Sequence, residues 1–162
     1  MTSGTHRRAP RSWPMSTRDP IETPVVLVVE DELLIREDVI DVLEQEGFRT
    51  LCAGTVSEAL AVLDRHANIQ AVFTDIQMPG LSDGVDLAKQ VAADRPGIVI
   101  IVTSGRSLGA PDDLPHRSRF IAKPYLPRQI ARLLREMIED GPGWDPGYGM
   151  LGGSSNSPSP GG

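Results

Sequence analysis

Two unbroken apolar runs constrain this chain more than any other feature: Val25-Val26-Leu27-Val28-Val29 and Ile98-Val99-Ile100-Ile101-Val102. A strand with one face in water alternates apolar and polar residues. These runs do not alternate, as expected of central parallel strands buried on both faces. Such strands need helices on either side, and the intervening sequence supplies them. Ile35, Val39, Val42 and Leu43 recur at helical spacing, and Gly47 closes that helix. A strand follows near Phe48–Cys52. Thr55-Val56-Ser57-Glu58 reads as a capping box opening a helix with Leu60 and Leu63. A third strand covers 71–74, and Val85, Leu87, Ala88 and Val91 mark a helix from Gly84 to about Ala93. After the 98–102 run, a short strand is expected at 119–122. Pro127 then suits the first turn of a last helix bearing Ile130, Leu133, Leu134, Met137 and Ile138.

Repeated strand–helix alternation of this kind predicts an α/β domain, a parallel sheet with helices on both faces, over residues 24–140. The exception is 104–118, Ser104 to Ser118, with two Gly and two Pro where a fourth helix is due. That helix is expected to be short, distorted or replaced by a loop. Residues 1–23 mix Arg, Pro, Ser and Thr without periodicity and read as a disordered tail, with Met15 a plausible start. Of the 22 residues in 141–162, 16 are Gly, Pro or Ser, which reads as a second flexible tail. Trp13 and Trp144 fall in these tails and read as incidental.

Charge and cysteine content narrow the function. The whole chain carries a net −6, and residues 24–140 hold 12 Lys and Arg against 19 Asp and Glu. That acidic balance argues against nucleic-acid binding. A single cysteine, Cys52, excludes an intrachain disulfide and points to a reducing, cytoplasmic setting. Cys52 itself reads as a small buried hydrophobe, and Met78 as a loop packing residue. No apolar run approaches the roughly 20 residues that span a bilayer.

In a doubly wound sheet the crevice lies at the carboxyl ends of the strands. The residues due there are Glu30-Asp31-Glu32, then Asp75, then Thr103-Ser104, then Lys123-Pro124. Singly, each has an ordinary reading. An acid run opens the next helix, Asp75 forms a turn, and Thr103 caps. Lys123 is more telling, because the chain has 14 Arg and only two Lys. Together they do not fit those readings. Clustered carboxylates repel one another unless a cation neutralises them, and hard oxygen donors suit Mg²⁺. A metal, Lys123 and Thr103 would each hold one oxygen of a phosphoryl group, leaving Asp75 as the nucleophile.

The motifs LVVEDE (27–32), TDIQMPG (74–80), VTSG (102–105) and FIAKPY (120–125) make the body resemble a response-regulator receiver domain. The resemblance implies a flavodoxin-like, doubly wound five-stranded sheet of order 2-1-3-4-5. It implies Glu30 and Asp31 as the acid pair, with Asp31 the more direct Mg²⁺ ligand. It implies Asp75 as phosphoacceptor and metal ligand, and Gln77 as donor of a backbone carbonyl to the metal. Thr103 is implied as the switch hydroxyl, Lys123 as the phosphoryl partner before a cis proline, and Phe120 as the switch aromatic. The implied function is a stand-alone switch without an output domain. It would take a phosphoryl group from a histidine kinase or histidine phosphotransfer protein and signal by protein–protein binding. It would not be an enzyme beyond its own phosphorylation and slow dephosphorylation. Two other readings are a receiver-fold interaction module that works without phosphorylation and a haloacid-dehalogenase-type phosphohydrolase. The latter is disfavoured because Gln77 stands where the general acid would be needed.

Overall fold

The computed structural model describes residues 23–105 and 109–141. The two tails with Trp13 and Trp144, and Arg106, a solvated loop residue on the sequence, lie outside the described residues. The elements run β1 (Val25–Val29), α1 (Leu33–Gln45), β2 (Arg49–Ala53), α2 (Val56–Arg65), β3 (Ile69–Asp75), α3 (Gly84–Asp94), β4 (Val99–Ser104), β5 (Ser118–Ala122) and α4 (Pro127–Glu139). The strands form one parallel sheet in the order β2-β1-β3-β4-β5. Chain order reverses between β1 and β3, so the carboxyl ends of these two strands flank the switch-point crevice.

The apolar runs divide between two cores. Val26, Val28, Phe73, Val99 and Ile101 pack beneath α1 and α4 against Val39, Leu43, Ile130, Leu134 and Met137. Leu27, Val29, Val72, Ile100 and Val102 pack beneath α2 and α3 against Ala59, Leu63, Leu87 and Val91. Successive residues of β1 and β4 therefore serve opposite cores, which is why neither strand alternates in polarity. Each fully buried Val or Ile stabilises the fold by about 1.5–3 kcal/mol relative to exposure, and this fixes the sheet edge on which the site is built.

Helix ends follow local chemistry. Asp83 caps α3 by accepting from the Val85 and Asp86 amides, while the Asp86 carboxylate accepts from the Asp83 amide. Only half of the box expected in 55–58 forms as written. Thr55 accepts from the Glu58 amide at 3.1 Å, but the Glu58 carboxylate accepts from Gly54, one residue before the cap, at 2.8 Å. The C-terminus of α2 is closed from a distance. The Arg95 guanidinium donates to the carbonyls of Leu63, His66 and Ala67 at 3.0, 3.1 and 2.7 Å.

One sequence expectation changes here, and another, the replacement of the fourth helix by a loop, holds among the described residues. Cys52 is exposed, not buried. It lies on β2, an edge strand whose burial is partial along most of its length, so membership of the sheet does not imply burial. In the segment between β4 and β5 no helix is present among the described residues. Gly109 and Arg117 hold positive φ angles of 62° and 65°, which breaks any helical run. Over 109–117 a loop with turns at Asp112-Asp113 and His116-Arg117 stands in the helix's place: Leu114 packs against the α2/α3 core, Arg117 Nη1 donates to the Gly97 carbonyl at 2.8 Å, and Asp113 pairs with Lys89 of α3. Met78 packs against the same core, as its loop position suggested.

Candidate functional site

The carboxyl ends of β1, β3, β4 and β5 deliver their residues to one edge. Asp75 ends β3 and is 4% exposed, and Glu30, just past β1, is 1% exposed. Carboxylate oxygens of Glu30, Asp31 and Asp75 all lie within 4.8 Å of one another. Lys123, reaching in from the end of β5, stands between the two buried acids. Its Nζ is 2.6 Å from Asp75 Oδ2 and 3.5 Å from Glu30 Oε2. The Lys123-Pro124 peptide is cis, as the resemblance implied. Asp75 Oδ1 accepts from the Gln77 amide at 3.2 Å, and Glu30 Oε1 from the Glu32 amide at 3.1 Å.

The electrostatics follow from burial. Desolvation pushes the Glu30 carboxyl above its ordinary value; the Glu32 amide and the Lys123 charge oppose this without cancelling it, and the Asp75 charge adds to it. Burial disfavours the Lys123 ammonium, yet Asp75 and Glu30 more than offset that and hold its pKa above the usual lysine value. One ammonium thus serves two buried carboxylates, with a third acid, exposed Asp31, beside them. All three are hard oxygen donors, so the cluster suits a divalent cation of the Mg²⁺ type.

Two expected participants are placed differently from the cluster. Thr103 pairs with Asp75 in the sheet register, but its buried hydroxyl donates to the Ile121 carbonyl of β5 at 2.8 Å. Phe120 lies half-buried on β5, outside both cores. Gln77 is exposed just beyond Asp75.

Three further residues shape the site without having been singled out on the sequence. Gly84 opens α3 directly against the end of β3. A Cβ built there would lie 2.0 Å from the Asp75 carbonyl oxygen, and the Gly84 amide donates to the Ile76 carbonyl at 3.0 Å. Tyr125 packs edge-on against Phe73, with ring centroids 5.6 Å apart, walling the site on the α1 side. Burial, and then the Glu30 and Asp75 charges, push its phenol pKa up. Arg36 of α1 donates through Nη1 to the Glu30 carbonyl at 3.1 Å. Only Tyr125 had a sequence signal, its place immediately after Lys123-Pro124.

A parallel sheet of this order, with an acid cluster and a lysine at its switch-point edge, defines a CheY-like class of α/β signalling domain. The chain belongs to the response regulator receiver domain family, which residues 26–135 match. It is 32% identical over 129 residues to the transcriptional regulatory protein AruR of Pseudomonas aeruginosa, covering 71% of this chain and 49% of that protein. It is likewise 32% identical over 107 residues to the transcriptional regulatory protein PdtaR of Mycobacterium tuberculosis, covering 62% and 49%. The chain therefore spans about half the length of these relatives. Among solved structures, a CheY-like receiver domain protein from Methanospirillum hungatei superposes with a TM-score of 0.62 at 26% identity, covering 73% of this chain and 95% of that one. Receiver domains are the signalling domains of two-component response regulators. They bind Mg²⁺ at an acidic pocket and interact with histidine kinases and phosphotransfer proteins. No described helix is long and apolar enough to cross a membrane.

Proposed function

We propose that this chain is a Mg²⁺-dependent phosphorylation switch whose acceptor is Asp75, charged in the cytoplasm by a histidine kinase or histidine phosphotransfer protein and read out by protein–protein binding. The observation that carries this reading is Lys123 Nζ at 2.6 Å from an Asp75 carboxylate that also lies within 4.8 Å of Glu30 and Asp31 oxygens. A buried nucleophile is thereby pre-oriented by a cation on one side and by the Gln77 amide on the other.

In transfer, an Asp75 carboxylate oxygen attacks phosphorus, the donor's phosphorus–nitrogen bond breaks, and the imidazole leaves with its electron pair. Lys123 exchanges its bond to the carboxylate for one to a phosphoryl oxygen, so its charge stays at the reacting centre throughout. Asp31, Asp75 and the Gln77 carbonyl would hold Mg²⁺, with Glu30 as the second acid of the pair; bound there, the ion would neutralise phosphoryl charge. Thr103 leaves the Ile121 carbonyl for a phosphoryl oxygen. That exchange loosens β5 at the residue next to Phe120 and shifts the population of the face carried by β5 and α4. Exposed apolar residues that follow the site residues in the chain, Leu33 at 56% and Leu34 at 79% at the start of α1 and Leu126 at 67% just before α4, support a protein as the phosphodonor.

The test is labelling by a small phosphodonor with and without Mg²⁺, read by mass on wild type and Asp75→Asn. One phosphoryl group is expected on wild type with Mg²⁺ and none on the variant. Equal labelling of both would remove Asp75 from its role, and a folded wild type that never labels would favour the phosphorylation-independent module.

A further inference from the structure

Arg36 has no part in the chemistry above, yet it is tied to the loop that carries Asp31. That loop, Glu30–Glu32, is pinned at its start on both sides: the Glu30 amide donates to the Ala53 carbonyl at 3.1 Å, and the Glu30 carbonyl accepts from Arg36 Nη1 at 3.1 Å. Asp31 follows immediately and is exposed, so the peptide it leaves from governs where its carboxylate points. No side chain caps α1 at Glu32, and Arg36 secures the entry to that helix from one turn inside it.

The guanidinium also rests on the neighbouring β2–α2 loop. A Cβ on Gly54 would lie 3.1 Å from Arg36 Nη1 and 3.4 Å from Glu58 Oε2, so a side chain at residue 54 would press the guanidinium aside by a few tenths of an ångström. Packing does not account for an arginine there. Its Nε is buried without an acceptor among the described residues, a penalty that an aliphatic side chain of similar length would avoid. Its charge, whose near neighbour across Gly54 is the Glu58 carboxylate, does not favour loading of the cation site, since a fixed cation near such a site opposes loading.

We infer that Arg36 is a positioning residue for the divalent-cation site, holding the Glu30 carbonyl so that Asp31 converges on Asp75. The inference rests on the proposed Mg²⁺-dependent reading. It assigns to Arg36 an effect on cation affinity opposite in sign to that of its charge.

The experiment is Mg²⁺ titration by isothermal calorimetry of the full chain, with urea denaturation to confirm folding. The proteins are wild type, Asp31→Asn, Arg36→Met and Gly54→Ala. Arg36→Met is expected to bind Mg²⁺ about 10-fold more weakly although it removes a positive charge, as for partners that orient metal ligands elsewhere. Gly54→Ala, which keeps the charge and crowds the guanidinium, is expected to weaken binding in the same direction. Arg36→Met binding as tightly as wild type, or more tightly, overturns the inference. If Arg36→Met does not fold, Gly54→Ala decides: weaker binding upholds the inference and unchanged binding overturns it. A wild type that does not bind Mg²⁺, or an Asp31→Asn variant that binds it equally well, overturns the Mg²⁺ reading itself and the inference with it.

Discussion

Replacing Gly84 by Ala tests whether α3 sets the position of Asp75. The added Cβ would lie 2.0 Å from the Asp75 carbonyl oxygen, 2.7 Å from its carbon and 3.0 Å from Ile76 Cα. Carbon atoms in comfortable contact are about 3.5–4.0 Å apart, so backbone must separate from backbone by roughly 1 Å or more. No rotamer change can relieve the clash, because every contact is main chain. The Gly84–Ile76 hydrogen bond strains as the two segments part. Overpacking of this kind destabilises by about 1–3 kcal/mol, set against up to about 1 kcal/mol that Ala gains over Gly in a helix. A net loss of about 1–2 kcal/mol is expected in urea denaturation. The functional effect should be larger, because a misplacement of about 1 Å in a reacting group can lower a rate about 100-fold. Single-turnover labelling by a small phosphodonor at saturating Mg²⁺ measures it. Gly97→Ala is the control: a Cβ there meets nothing within 4 Å and φ is not positive, so stability and rate should stay near wild type. Gly84→Ala protein with wild-type stability and labelling rate would refute the reasoning. A stability loss with an unchanged rate would show that α3, not Asp75, yields.

Lys123→Met leaves Glu30 and Asp75 buried without their cation; with chelator present, urea denaturation should show a loss of about 2–4 kcal/mol, part of it recovered on adding Mg²⁺. Glu30 has a raised carboxyl pKa in the folded state, so its contribution to stability is greatest below the unfolded value near 4.5 and is lost as pH rises through the folded value. Without Mg²⁺, the stability difference between Glu30→Gln and wild type should therefore move in favour of the variant over that rise; a pH-independent difference would contradict it. Saturating Mg²⁺ at about 100 times its dissociation constant should stabilise wild type by about 2.7 kcal/mol, and Asp31→Asn markedly less, as read by thermal unfolding. Arg95→Ala removes three good hydrogen bonds to the end of α2 and should destabilise by about 1–3 kcal/mol with Mg²⁺ affinity unchanged; altered affinity would mean that α2 reaches the site.

Much of this molecule is determined by sequence alone, for physical reasons that act locally. An apolar run without alternation must be covered on both sides, so Val25–Val29 and Ile98–Val102 commit the chain to a parallel sheet between helices. Because functional side chains in such a sheet follow strand ends, Glu30, Asp31, Asp75, Thr103 and Lys123 could be assigned to one edge before any coordinates. The two glycines and two prolines of 104–118 likewise announced that a regular helix would be hard to form there. What tertiary structure decided depends on contacts between distant segments. Cys52 is exposed because β2 lies at the sheet edge, a matter of strand order and not of residue type. The Thr103 hydroxyl bonds to β5 because the Ile121 carbonyl lies within reach, so its place in the register does not by itself bring it to Asp75. Arg36 and Gly84 carry no motif. Each matters through the backbone of a residue brought beside it by the fold, Glu30 in one case and Asp75 in the other, and a main-chain contact leaves no mark in the order of side chains.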